Sequence, residues 1–235
     1  MDFFAQKGHS ILSYDLPGHG DSPLETEDYC FSDLINLNAR ILNKFKIQSP
    51  ILCGHSLGGM IHAGYAAKYL DSEASLVLCG SLDANPTHIG PRFLSDEHSK
   101  ELSASLDAYM EDGFKLFKRQ KKYDYFENNQ IDDEIINIIN RRYSNPVASK
   151  INLSTLGSFD VRSQLIELNL PVLTLHGENE QVIDKKLVEA MGKSYKNIRQ
   201  RWYPNGGHLA FYQQTDLTTK YLAENYDFVV NGEPA

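Results

Sequence analysis

The pattern Gly54-His55-Ser56-Leu57-Gly58 is where this 235-residue chain frames a nucleophile. The apolar run Pro50-Ile51-Leu52-Cys53 leads into it, and Gly58-Gly59-Met60-Ile61 opens a stretch rich in small residues after it. A strand, a tight turn and a helix would present the Ser56 hydroxyl at the apex of the turn, with Gly54 and Gly58 where a side chain would collide with neighbouring backbone. A serine hydroxyl is a poor nucleophile on its own. It needs a neutral imidazole to take its proton, and the imidazolium so formed needs a carboxylate to orient it and offset its charge.

The elements that would position such groups follow in order. Met1 to Lys7 reads as the end of a helix stopped by Gly8, and His9 to Tyr14 as a short strand followed by a turn-rich loop, Asp15 to Pro23. Leu34, Leu37, Ile41, Leu42 and Phe45 recur at helical spacing, which predicts an amphipathic helix over 33–45. Ile51–Cys53, Leu76–Cys79, Leu170–Gly177 and Gln200–Tyr203 read as strands. The second is a continuous apolar run of the kind buried on both faces of a parallel sheet. Helical patterns over 184–191 and 217–226 alternate with them. Strands alternating with helices predict right-handed βαβ units and an α/β fold with a mostly parallel sheet flanked by helices. Between 85 and 147 no strand pattern appears and eight Phe and Tyr residues accumulate. A helical cap insertion over 85–147 within a core of 1–84 and 148–235 is expected, its aromatics serving as cap core and, in part, as the wall of an apolar pocket.

This order of elements resembles the α/β-hydrolase family over nearly the whole chain. The residues that carry the resemblance are Asp15-Leu16-Pro17-Gly18-His19-Gly20-Asp21-Ser22, Gly54-His55-Ser56-Leu57-Gly58-Gly59, His176-Gly177-Glu178-Asn179-Glu180 and Gly207-His208. The resemblance implies a catalytic triad in the chain order nucleophile, acid, histidine, each after a strand: Ser56, Glu180 and His208. The usual acid at the position of Glu180 is aspartate. Asp83, after the strand Leu76–Cys79, is the alternative acid, because some members carry theirs there. The Leu57 amide, next after the nucleophile, would be an oxyanion donor. The resemblance also implies strands ahead of His9–Tyr14 and a His-Gly loop carrying the second oxyanion donor; a true start upstream of Met1 is expected. Without the strand that lies between His9–Tyr14 and Ile51–Cys53 in the family, a sheet edge beside Ser56 would be open, offering a surface to a second copy of the chain.

Composition sets the remaining bounds. A net charge of −8 argues against a nucleic-acid partner, and the basic cluster Lys118-Arg119-Gln120-Lys121-Lys122 reads as a solvated helix face. No apolar run approaches the roughly 18 residues of a membrane span, and no basic segment followed by an apolar one opens the chain, so a cytoplasmic protein is expected. Three cysteines without a C-x-x-C pair indicate neither a disulfide framework nor zinc, and Cys53 and Cys79 are expected as buried hydrophobes. No cofactor, metal or nucleotide motif is present. Among the other histidines, His55 is expected to pack or support the site, His19 to support its loop, and His62, His88, His98 and His176 to have no catalytic part. Asp160 is expected to be structural and to pair with Arg162. The expected activity is a serine hydrolase for a carboxylic ester or similar small acyl substrate. A noncatalytic or weakly active binding protein of the same fold is the alternative.

Overall fold

The computed structural model describes residues 2–69, 73–97, 146–180 and 182–232, with 100, 101 and 104. The interior of the expected cap, with its basic cluster and all its aromatics but Phe93, lies outside the described residues.

Four strands form one parallel sheet in sequence order: β1 (Ile51–His55), β2 (Ser75–Cys79), β3 (Val172–Gly177) and β4 (Ile198–Tyr203). The register sets Cys53 beside Val77, Val77 beside Leu173 and Gly177 beside Tyr203. Helices α1 (Asp2–Gln6), α2 (Phe31–Phe45), α3 (Leu57–Tyr69), α4 (Pro86–Phe93), α5 (Pro146–Ser154), α6 (Arg162–Leu168), α7 (Lys185–Ser194), α8 (Ala210–Gln213), α9 (Thr215–Glu224) and α10 (Tyr226–Asn231) accompany it.

Strand alternation sorts the core into two layers. Leu52, Leu76, Leu78 and Val172 face the layer that holds α2, α3, α4, α6 and α7, whereas Val77, Leu173, Leu175 and Tyr203 face Phe4 of α1 and Phe228 and Val229 of α10. Every residue of β3 is buried, as expected of an inner parallel strand covered on both faces. The small residues Ala63, Gly64, Ala66 and Ala67 let α3 lie between β1 and α2.

Some expectations need correction. His9–Tyr14 does not form a strand: the segment is held at its ends, by a His9–Tyr226 side-chain hydrogen bond of 2.9 Å and by the Tyr14 hydroxyl donating to Asn38, while Ile11 and Leu12 stay exposed. A strand exists only through a neighbour, and among the described residues none lies alongside. No described strand therefore pairs with the outer edge of β1, and Cys53 is exposed there rather than buried; Cys79 is partly exposed. On α2 the buried face runs through Phe31, Leu34, Ile35, Asn38, Ala39 and Leu42, leaving Phe45 in solvent beside the left-handed Lys46 that ends the helix. The closing helix breaks in two at Asn225, whose buried side chain accepts from Arg201 at 3.0 Å and donates to the Tyr221 carbonyl at 2.6 Å.

Candidate active site

Ser56 lies between β1 and α3 with φ +49°, a left-handed conformation that costs a non-glycine residue about 1–3 kcal/mol and persists only when its surroundings impose it. Here they do. The Ser56 amide donates to the Cys79 carbonyl (3.0 Å), and the Ser56 carbonyl accepts from the Gly59 amide (3.0 Å) and the Ser81 hydroxyl (2.7 Å). A Cβ on Gly54 would sit 2.4 Å from the Gly59 nitrogen, and one on Gly59 would sit 2.3 Å from the Ser81 hydroxyl. Gly58 corrects the expectation for this turn: a Cβ there meets nothing within 4 Å. The crossing of strand and helix depends on Gly54 and Gly59. Leu57 opens α3, where an amide has no intrahelical acceptor and the helix dipole adds partial positive charge.

Glu180 and His208 meet across the ends of β3 and β4. The two loops are laced by backbone bonds from Glu178 to Tyr203 (3.0 Å) and from Asn179 to Gly206 (2.9 Å), a closeness that Gly177 permits, since a Cβ there would be 2.0 Å from the Gly206 oxygen. His208 Nδ1 lies 3.0 and 2.9 Å from the two Glu180 oxygens. A carboxylate only accepts, so Nδ1 carries the proton and the neutral ring holds its lone pair on Nε2, as a base needs. The Glu180 side chain is 1% exposed and that of His208 5%. Burial raises the Glu180 pKa, but the His208 ring, the nearby His176 and the Val182 amide on Oε1 outweigh it, and the net shift is downward.

The His208 ring lies over Gly80, whose hypothetical Cβ would be 3.1 Å from Nδ1, and its centroid is 4.5 Å from that of His55. His208 thus stands against the residue that precedes Ser56 and over Gly80, the residue after Cys79, whose carbonyl holds the Ser56 amide. Asp83 is not brought to His208. It is buried under α7, where Tyr195 donates a hydrogen bond to Oδ2, Oδ1 has no partner, and burial pushes the pKa up to about 6. Asp160 pairs with Arg162 (Nε to Oδ1 2.8 Å) and receives Arg92 at 3.4 Å. His176 is buried with its ring 5.8 Å from that of Trp202, and burial pushes its pKa down to about 4. Gly80 and Ser81 escaped the sequence reading. Their signal was small residues placed directly after an apolar strand, at the sheet end where Ser56 stands. Among the described residues no group of three His, Cys, Asp or Glu is placed to hold a metal ion, and no helix is long and apolar enough to cross a membrane.

The family model described as alpha/beta hydrolase fold matches residues 1–215. The AB hydrolase superfamily protein YisY of Bacillus subtilis is 21% identical over 95% of this chain and 84% of its own length. A proline iminopeptidase of Saccharolobus solfataricus is 23% identical over 94% of this chain and 76% of that protein. Among solved structures, the esterase from Exiguobacterium antarcticum superposes with a TM-score of 0.69 at 20% identity, covering 89% of this chain and 78% of that one.

Proposed function

Because the chain belongs to the α/β-hydrolase fold family, we propose that it is a serine hydrolase cleaving a carboxylic ester or similar small acyl substrate through an acyl-enzyme on Ser56. The observation that carries the reading is the Glu180–His208 pair, which fixes the imidazole as the tautomer with its lone pair on Nε2 at the sheet end where the half-buried Ser56 stands on its strained turn. His208 takes the Ser56 proton as the hydroxyl attacks the carbonyl, and Glu180 offsets the imidazolium charge. The Leu57 amide, at the positive end of α3, donates to the oxyanion. His208 then protonates the leaving group, and water, deprotonated by the same ring, releases the acid and restores Ser56. Ester rather than peptide substrates are favoured by the structural likeness to an esterase, although a proline iminopeptidase stands among the similar proteins.

The purified chain is expected to turn over a short-chain p-nitrophenyl ester and to carry a fluorophosphonate label on Ser56, with both lost in Ser56→Ala. Absence of turnover and of label in the wild-type chain would sink the reading. A second reading, a binding protein without turnover, draws support from the outer edge of β1 next to Ser56, with which no described strand pairs. That result would leave it standing.

A further inference from the structure

His55, the last residue of β1, turns toward the loop that carries His208. Its Nε2 lies 3.1 Å from the His208 carbonyl oxygen. A carbonyl only accepts, so Nε2 carries the proton and donates. Burial and the neighbouring His208 ring push the His55 pKa down to about 3, so the donor is a neutral ring that brings no charge beside the base. Phe211 closes the other side at 4.9 Å between centroids.

The loop from Pro204 to His208 has reason to need such a tie. Gly206 and Gly207 contribute no side chains to fix it; the Asn179 amide holds it at the Gly206 carbonyl, two residues before the base, and Glu180 holds the His208 ring at Nδ1. Gly80 bounds the ring from one side. The bond from His55 anchors the backbone of the base, and it does so from the residue covalently next to Ser56. Glu180, by contrast, is rooted after β3, two strands away from the nucleophile.

We propose that His55 is a positioning residue that sets the separation of Ser56 and His208 by holding the His208 carbonyl. The proposal rests on the reading of these two residues as nucleophile and base. A phenyl ring at position 55 fills the same space without a donor, whereas glutamine carries an amide nitrogen at the same number of bonds from the backbone as Nε2. With the short-chain p-nitrophenyl ester, His55→Phe is expected to lower kcat about 10- to 100-fold with KM within about twofold of wild type, and His55→Gln to stay within about threefold of it, because displacements below an ångström suffice to spoil an aligned attack. Thermal melts of both variants accompany the kinetics.

A second readout does not depend on turnover. The downfield proton resonance of His208 Nδ1–H, assigned by its absence in His208→Ala, is expected to move or broaden in His55→Phe and to persist in His55→Gln. Equal loss of kcat in both variants, or wild-type kcat and an unmoved resonance in His55→Phe, would overturn the proposal. If the wild-type chain is no more active than Ser56→Ala, the hydrolase reading fails instead, and the resonance alone decides whether His55 places His208.

Discussion

Glu180 and Asp83 are both buried carboxylates near the C-terminal ends of strands, and their surroundings drive them in opposite directions. Glu180 accepts from His208 and from two amides and is held low; Asp83 accepts from the Tyr195 hydroxyl, has one oxygen without a partner and is pushed up to about 6. Glu180→Gln is expected to lower kcat by roughly 1,000- to 10,000-fold, the scale seen when a triad acid loses its charge and lets the histidine adopt the wrong tautomer. Asp83→Asn is expected to leave ester turnover close to wild type. Its effect belongs to stability. The native Asp83 holds its proton to a higher pH than the unfolded chain, so as pH rises through the window from about 4 to about 6 the unfolded state loses a proton that the native state keeps, and stability falls by up to about 1.4 kcal/mol per pH unit. Urea unfolding at pH 4.5 and pH 7 should therefore show Asp83→Asn gaining on wild type by about 2 kcal/mol at the higher pH. An unchanged difference would mean that Asp83 is ionised when buried.

At the scale of elements, the strand-to-helix turn is discriminating about its glycines. Gly54→Ala drives a Cβ to 2.4 Å from the backbone of α3, so the helix must shift bodily, and a loss of several kcal/mol or failure to accumulate as soluble protein is expected. Gly58→Ala enters open space within the first turn of α3 and is expected to gain about 0.5–1 kcal/mol from the lower entropy of the unfolded chain. Thermal melting of the two variants side by side tests the contrast. Gly80→Ala combines a φ of +49° with a Cβ 3.1 Å from the His208 ring, so it is expected to lose about 1–2 kcal/mol of stability together with kcat, through displacement of the imidazole. A variant destabilised by that amount with wild-type kcat would show that the ring has room to give.

Across the molecule, what could be read from the sequence divides along a physical line. Ser75–Cys79 and Val172–Gly177 are legible because strands buried on both faces write their burial into continuous apolar runs, Ile51–His55 is legible from the glycine-framed turn that follows its apolar start, and the segment that meets His208 can be placed because Glu180 follows such a run. His9–Tyr14 was misread because its composition suits a strand while pairing depends on a neighbour that a local pattern does not contain. Phe45 and Cys53 depart from expectation for the same reason: each lies on an element as expected, but at an end or edge that no described residue covers. Ser81, Gly80 and the bond from His55 to His208 were out of reach because they join residues far apart in the chain through backbone carbonyls that any residue type possesses.

The exit from β2 and the return before α6 are stitched together. Ala84 and Asp160 form an antiparallel bridge, the Asn85 amide donates to the Phe159 carbonyl at 2.7 Å, the Val161 amide donates to the Asp83 carbonyl at 3.0 Å, and the Asn85 side chain donates to the Gly157 carbonyl at 2.7 Å. A chain that leaves and rejoins the sheet at one seam places little constraint on what lies between, since lengthening a closed loop costs only about 0.6 kcal/mol per doubling. The seam leaves the length of chain between α4 and α5 free to vary, whereas α4 and α5 themselves are tied to the frame: Ile89, Leu94 and Leu156 lie in the core, and Asn152 and Thr155 hold Tyr29 and Phe31. A change of length there is expected to leave every strand of the sheet in register.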